Sequence, residues 1–188
     1  MINTEWFNFF KSFFQNNAAS IGTVMYANGC REGWLQGEMF RTATDEKFAV
    51  NYYQLKRYSE KLDLYGEMPN RQVQQKMVAE IKIISPSFEK KNIDGTSNLI
   101  RYLQSNDVIN SLGHINQRVG SLLKDLKRLR TVTDSTIEKY IILVIPNYEE
   151  GKIKEDLKHV LYNIHLSHHE EFLSFTEHHF DVRIWKVD

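Results

Sequence analysis

The chain has 188 residues, 41% hydrophobic and 26% charged, with 24 basic residues balanced by 24 acidic ones. That length supports one domain, residues 1–188, with a single substantial core. Zero net charge excludes the overall basic field of an indiscriminate nucleic-acid binder, while leaving room for a local basic groove. The single cysteine, Cys30, excludes a disulfide within the chain, points to a reducing compartment, and reads as a small buried hydrophobe rather than a catalytic thiol.

Trp6, Phe7, Phe9, Phe10, Phe13 and Phe14 recur at helical spacing and predict a helix over residues 3–19, capped by Asn3 or Thr4. Its aromatic face suits a membrane surface or a core; with Lys11 its only basic residue, docking on the core is expected. No leader pattern is expected at this end, and no run reaches the ~18 apolar residues of a membrane span. The expected location is cytoplasmic, with no membrane partner.

A second helix is predicted from Arg31 to Ala43, with Trp34, Leu35, Met39 and Phe40 on its apolar face and Glu38 close to that face. Two strands follow, Phe48 to Leu55 and Tyr58 to Tyr65, joined as a hairpin. In the second, Leu62 and Leu64 are expected on one face and Asp63 on the other. Residues 66–75, GEMPNRQVQQ, read as a loop. The third strand, Met77 to Ile84, is apolar on both sides of a Glu80-Ile81-Lys82 step that puts two charges on one face.

Short helical pieces are predicted at Asn98–Leu103 and Val108–Leu112, then a longer helix from His114 to Arg130. Its stripe is Ile115, Val119, Leu122, Leu123, Leu126 and Leu129. Tyr140 to Ile145 is a second buried strand, parallel to the third and reached by that helical crossover. Lys152 to Ile164 reads as a helix, and Phe172–Phe175 and Val182–Val187 as terminal strands, paired with each other.

Three acids fall at particular places in this order: Glu38 before the sheet, Asp63 on the second strand and Glu80 on the third. Antiparallel pairing of those strands would bring Asp63 beside Glu80. Two adjacent carboxylates stay ionised together when a divalent cation sits between them, and hard oxygen donors suit Mg²⁺ or Mn²⁺. Lys82 would then face the attacking water and stabilise charge on a phosphate, with Glu38 an extra metal ligand. A solvated Glu-x-Lys edge strand is the plain alternative. For Glu38 the plain alternative is an ion pair with Arg31 or Arg41.

Glu38, Asp63 and Glu80-Ile81-Lys82 resemble the motif of the restriction-endonuclease-like superfamily of PD-(D/E)xK nucleases. Leu62 stands where the family name has Pro. The resemblance spans about residues 29–145 and implies an αβββαβ core. The implied fold is α/β, a mixed sheet of four to six strands flanked by helices. The N-terminal helix and residues 150–188 would pack on it. It implies a Mg²⁺- or Mn²⁺-dependent nuclease acting on phosphodiesters, most often of DNA. Asp63, Glu80, the Ile81 carbonyl and Glu38 would hold the metal, and Lys82 would be catalytic. Some members have lost catalysis and serve as interaction, immunity or accessory modules.

Arg71, Lys76, Lys124, Lys127, Arg128 and Arg130 are candidate nucleic-acid contacts; for the four on the helix a solvated outer face explains the pattern equally well. A homodimer would suit paired cuts. His165, His168, His169, His178 and His179 crowd the C-terminal quarter, but without Cys or an HEXXH they read as solvated residues rather than a zinc site.

Overall fold

The computed structural model of the chain describes residues 4–27, 31–45, 49–54, 61–67, 75–84, 108–109, 115–116, 122–147 and 170–188. In chain order these form α1 (Glu5–Asn16), α2 (Ala18–Met25), α3 (Arg31–Asp45), β1 (Ala49–Gln54), β2 (Lys61–Glu67) and β3 (Lys76–Ile83). Then come β4 (Val108–Ile109), β5 (Ile115–Asn116), α4 (Leu122–Arg130), β6 (Ile137–Pro146), β7 (Glu170–Phe175) and β8 (Phe180–Val187). The fold is α/β, with a mixed six-stranded sheet ordered β1-β2-β3-β6-β8-β7. No helix among the described residues is long and apolar enough to cross a membrane.

The expected meander and crossover are present. β1 pairs antiparallel with β2, and β2 with β3. β3 pairs parallel with β6 along its whole length, Lys76 opposite Ile137 through Ile83 opposite Val144. The terminal strands pair as expected, and β8 also inserts antiparallel beside β6, so they widen the sheet.

Both faces of the sheet are covered. Odd positions of β3 (Met77, Ala79, Ile81, Ile83) join Tyr140, Ile142 and Val144 of β6 under α1, α2 and α3. Even positions Val78 and Ile84 join Ile141, Leu143 and Ile145 under Leu122, Leu126 and Leu129 of α4. A strand buried on both faces explains why MVAEIKII is apolar throughout except for its two charges.

α1 docks on the core, as its single basic residue implied. Thr4 is the cap: its hydroxyl accepts from Phe7 N at 3.2 Å and lies 2.5 Å from the Tyr140 hydroxyl. Trp6 is fully buried, and its indole N–H donates to the Gln75 carbonyl at 3.1 Å. Gly66 makes that possible, because a Cβ there would overlap the Trp6 ring and crowd the Met77 methyl. The helix stops at Asn16, and α2 begins after Asn17, whose side-chain amide and backbone N–H both return to the Phe13 carbonyl.

Several expectations change. The helix predicted over 3–19 is two helices. Val108–Ile109 and Ile115–Asn116 are paired strands rather than parts of helices; β-branched residues fit helical spacing here but favour extended backbone. Leu62 and Leu64 enter opposite cores instead of sharing one face. The cause is a β-bulge: Asn51 faces Tyr65 and Tyr53 faces Leu62, leaving Asp63 and Leu64 opposite Tyr52 alone. The predicted pieces at Asn98–Leu103 and Lys152–Ile164 lie outside the described residues.

Candidate functional site

The bulge builds the site. Beyond Leu64 opposite Ala79, β2 and β3 stop pairing. The ladder bond that Ile81 N–H would make is taken by the Asp63 carboxylate, with Ile81 N donating to Oδ2 at 2.9 Å. Two residues on, Ile83 N donates to Glu32 Oε1 at 3.2 Å. Buried backbone donors need partners, and in this notch of the sheet two carboxylates supply them in place of a strand.

Glu80 and Lys82 project toward α4. They are 1% and 7% exposed, and they stand between Val78 and Ile84. From α4, Asp125, 1% exposed, divides its two oxygens between two cations. Lys82 Nζ lies 3.0 Å from Oδ2, and an Arg128 guanidinium nitrogen contacts Oδ1. The same Arg128 nitrogen is 3.1 Å from Glu80 Oε1. Neither Glu80 oxygen has a well-directed hydrogen bond from a protein donor. Carboxyl groups of Glu32, Asp63, Glu80 and Asp125 thus surround two cations, Lys82 and Arg128.

That excess of acid sets the protonation. Burial first, then the adjacent Asp63 and Asp125 charges, push the Glu80 carboxyl up to about 11 against the opposing pull of Arg128. Glu80 therefore keeps its proton at neutral pH, so its contact with Arg128 is not a full ion pair. Burial also raises Asp125, offset in part by Lys82 and Arg128, and raises Glu32, offset by Lys82 and the Ile83 N–H. Burial would lower Arg128, but Glu80 and Asp125 outweigh it and hold the guanidinium charged.

Asp63, Glu80 and Lys82 are therefore brought to one place. Glu38 is not brought there by any described contact: its carboxylate is held by Arg41 of its own helix at 2.9 Å. The acid of α3 that reaches the sheet is Glu32. Six residues turn an α-helix by about 240° beyond a full turn, so the two cannot share a direction. Glu32 leads the buried stripe Leu35, Met39, Ala43, and that phase was the signal to follow.

Asp125 was legible in the same way. It sits within the stripe Leu122, Leu126, Leu129. Arg128, expected on a phosphate-tracking surface, is committed to Glu80 and Asp125 and is only partly exposed. Lys127 and Arg130 are on the exposed side of α4, and Lys124 is half-buried. Lys76 pairs with Glu67 at 3.6 Å, near the end of β3 away from the cluster. Arg71 lies outside the described residues, as do His165, His168 and His169. His178 and His179 form the β7–β8 turn, with His179 in the left-handed region at φ 58°.

The donor set is all oxygen, which suits a hard divalent cation. Among the described residues no three His, Cys, Asp or Glu side chains form a ready-made metal cage. Asp63, Glu80 and a backbone carbonyl would be a sufficient set for Mg²⁺, which keeps several waters and takes one or two carboxylates. Comparison with family models, with curated proteins and with solved structures found no match to this chain.

Proposed function

We propose that the chain is a metal-dependent nuclease of the restriction-endonuclease-like class, acting on phosphodiester bonds, in the first place of DNA. Asp63, Glu80 and the Ile81 carbonyl would hold Mg²⁺ or Mn²⁺, and Glu32 takes the assisting place first expected for Glu38. Bound there, the cation supplies Lewis-acid activation of the phosphodiester and the attacking water. Lys82 orients that water and stabilises charge on the phosphate. The exposed side of α4, with Lys127 and Arg130, would meet the nucleic-acid backbone. A homodimer would suit paired cuts.

The observation that carries this reading is the notch in the sheet where Asp63, bound to the Ile81 N–H, stands beside the buried Glu80 on the strand that also carries the buried Lys82. Keeping an extra carboxyl there costs stability, and a divalent cation is what the surplus of acid would neutralise. A second reading rests on Lys82 Nζ already lying 3.0 Å from Asp125. On it the cluster is a closed ion-pair network in an inactive nuclease fold that works through an interaction partner.

The experiment is cleavage of plasmid and single-stranded DNA in Mg²⁺ and in Mn²⁺ by the wild type, Asp63→Asn and Lys82→Ala, with Mn²⁺ binding measured alongside. The nuclease reading expects Mn²⁺ uptake that Asp63→Asn removes. It also expects cutting that falls by at least about a hundredfold in both variants. Cutting that survives in Lys82→Ala would refute the assigned roles.

A further inference from the structure

Arg128 stands where the acid surplus is greatest. One guanidinium nitrogen touches both Glu80 and Asp125, from a helix that also carries the Lys82 partner. Its neighbour Asp125 is fully committed, one oxygen to each cation. Its contact with Glu80 is weaker: 3.1 Å, without a well-directed hydrogen bond, while the buried Arg128 Nε has no acceptor. Of the cluster's two cations, Lys82 is almost wholly buried, whereas Arg128 is 27% exposed. The guanidinium is thus anchored at Asp125 and loosely held at Glu80, on a side chain that is partly exposed.

We propose that Arg128 is a built-in counter-ion: it offsets the acid surplus of the cluster and occupies Glu80 while no divalent cation is bound, and gives Glu80 up when one binds. Released from Glu80 and still held by Asp125, it faces an anionic phosphate at the mouth of the site. This rests on the metal-binding reading above and adds a competition to it. A monovalent charge a few ångströms from the ligand opposes a divalent cation strongly, and its removal therefore tightens metal binding.

The test is Mn²⁺ binding by titration calorimetry on the full chain, for wild type, Arg128→Met, Arg128→Gln and Arg128→Lys. Arg128→Gln keeps a hydrogen-bond donor without the charge and serves if the Met variant does not fold. The neutral variants should bind Mn²⁺ roughly tenfold tighter than wild type. Arg128→Lys should stay near wild type. A labelled oligodeoxynucleotide, added in Ca²⁺ to prevent cleavage, should bind the neutral variants more weakly than wild type. Neutral variants that bind Mn²⁺ no tighter than wild type, when wild type does bind it, overturn the counter-ion and leave the metal site standing. If neither wild type nor neutral variants take up Mn²⁺, the site itself falls. Binding by the neutral variants alone would show the competition at its strongest.

Discussion

Toward α1–α3, β3 presents Met77, Ala79, Ile81 and Ile83 to a wall of aromatic rings; toward α4 the same strand presents Val78, Glu80, Lys82 and Ile84. Backbone, pairing and burial are shared, so the difference between the two faces lies in side chains alone. On the first face each ring adds burial and edge contacts, such as Trp6 with Phe9 and Phe10 with Tyr140. On the second, two apolar places are given to charges that need Asp125, Arg128 and a proton to be tolerated. One face serves stability, and the other gives up stability to hold a buried cluster of charges.

The largest effect should come from the aromatic face. Trp6→Ala removes a fully buried ring and leaves both a cavity and an unpaired Gln75 carbonyl. It should cost about 3–5 kcal/mol of unfolding free energy, read by urea denaturation. Metal affinity, measured where the variant is still folded, should not change, because the ring packs on the opposite face of the sheet from Glu80 and Lys82. A large loss of Mn²⁺ binding in folded Trp6→Ala would break the separation of the two faces.

How far this division was legible depends on what each residue had to declare. Helical and alternating patterns declare which residues are buried, so α1, β2, β3 and β6 were readable. The pairing of Asp63 toward Glu80 followed from strand order. A bulge leaves no mark in a period of two, so the turn of Leu64 away from Leu62 was hidden. With it went the reason that Asp63 reaches a backbone N–H. Glu32 and Asp125 were missed differently: each is a charge on an apolar stripe, legible by its phase, and the apolar stripes were read without them. Arg128 was read from its basic neighbours, although its acid partners lie on β3 and one helical turn away.

The next effect runs opposite in sign to that of Trp6→Ala. Glu80 holds its proton in the folded state up to about pH 11, whereas in the unfolded chain it ionises near 4.5. A raised folded value means full stability below the unfolded one and a progressive loss as pH rises toward the folded one. The slope for a single group is about 1.4 kcal/mol per pH unit at most. Glu80→Gln keeps the shape and removes the ionisation. It should stabilise the metal-free protein at pH 7 by roughly 1–3 kcal/mol and flatten the decline above pH 5, while abolishing Mn²⁺ binding. A variant that is less stable than wild type at neutral pH would mean that Glu80 belongs to the structural face after all.

The smallest effects come from the two acids of α3, and their contrast is the sharper for it. Glu38→Ala removes an ion pair with Arg41 that is partly open to water, a class of contact worth about 0–1 kcal/mol. Glu32→Ala leaves the Ile83 N–H at the end of β3 without its acceptor, which should cost about 1–3 kcal/mol. The same change withdraws a negative charge from beside Lys82 and should weaken Mn²⁺ binding, which Glu38→Ala should leave within twofold of wild type. Two glutamates of one helix, six residues apart, are thus separable by one calorimetric titration and one melting curve. Equal behaviour of the two variants would deny α3 any part in the notch and reduce the acids there to those of β2, β3 and α4.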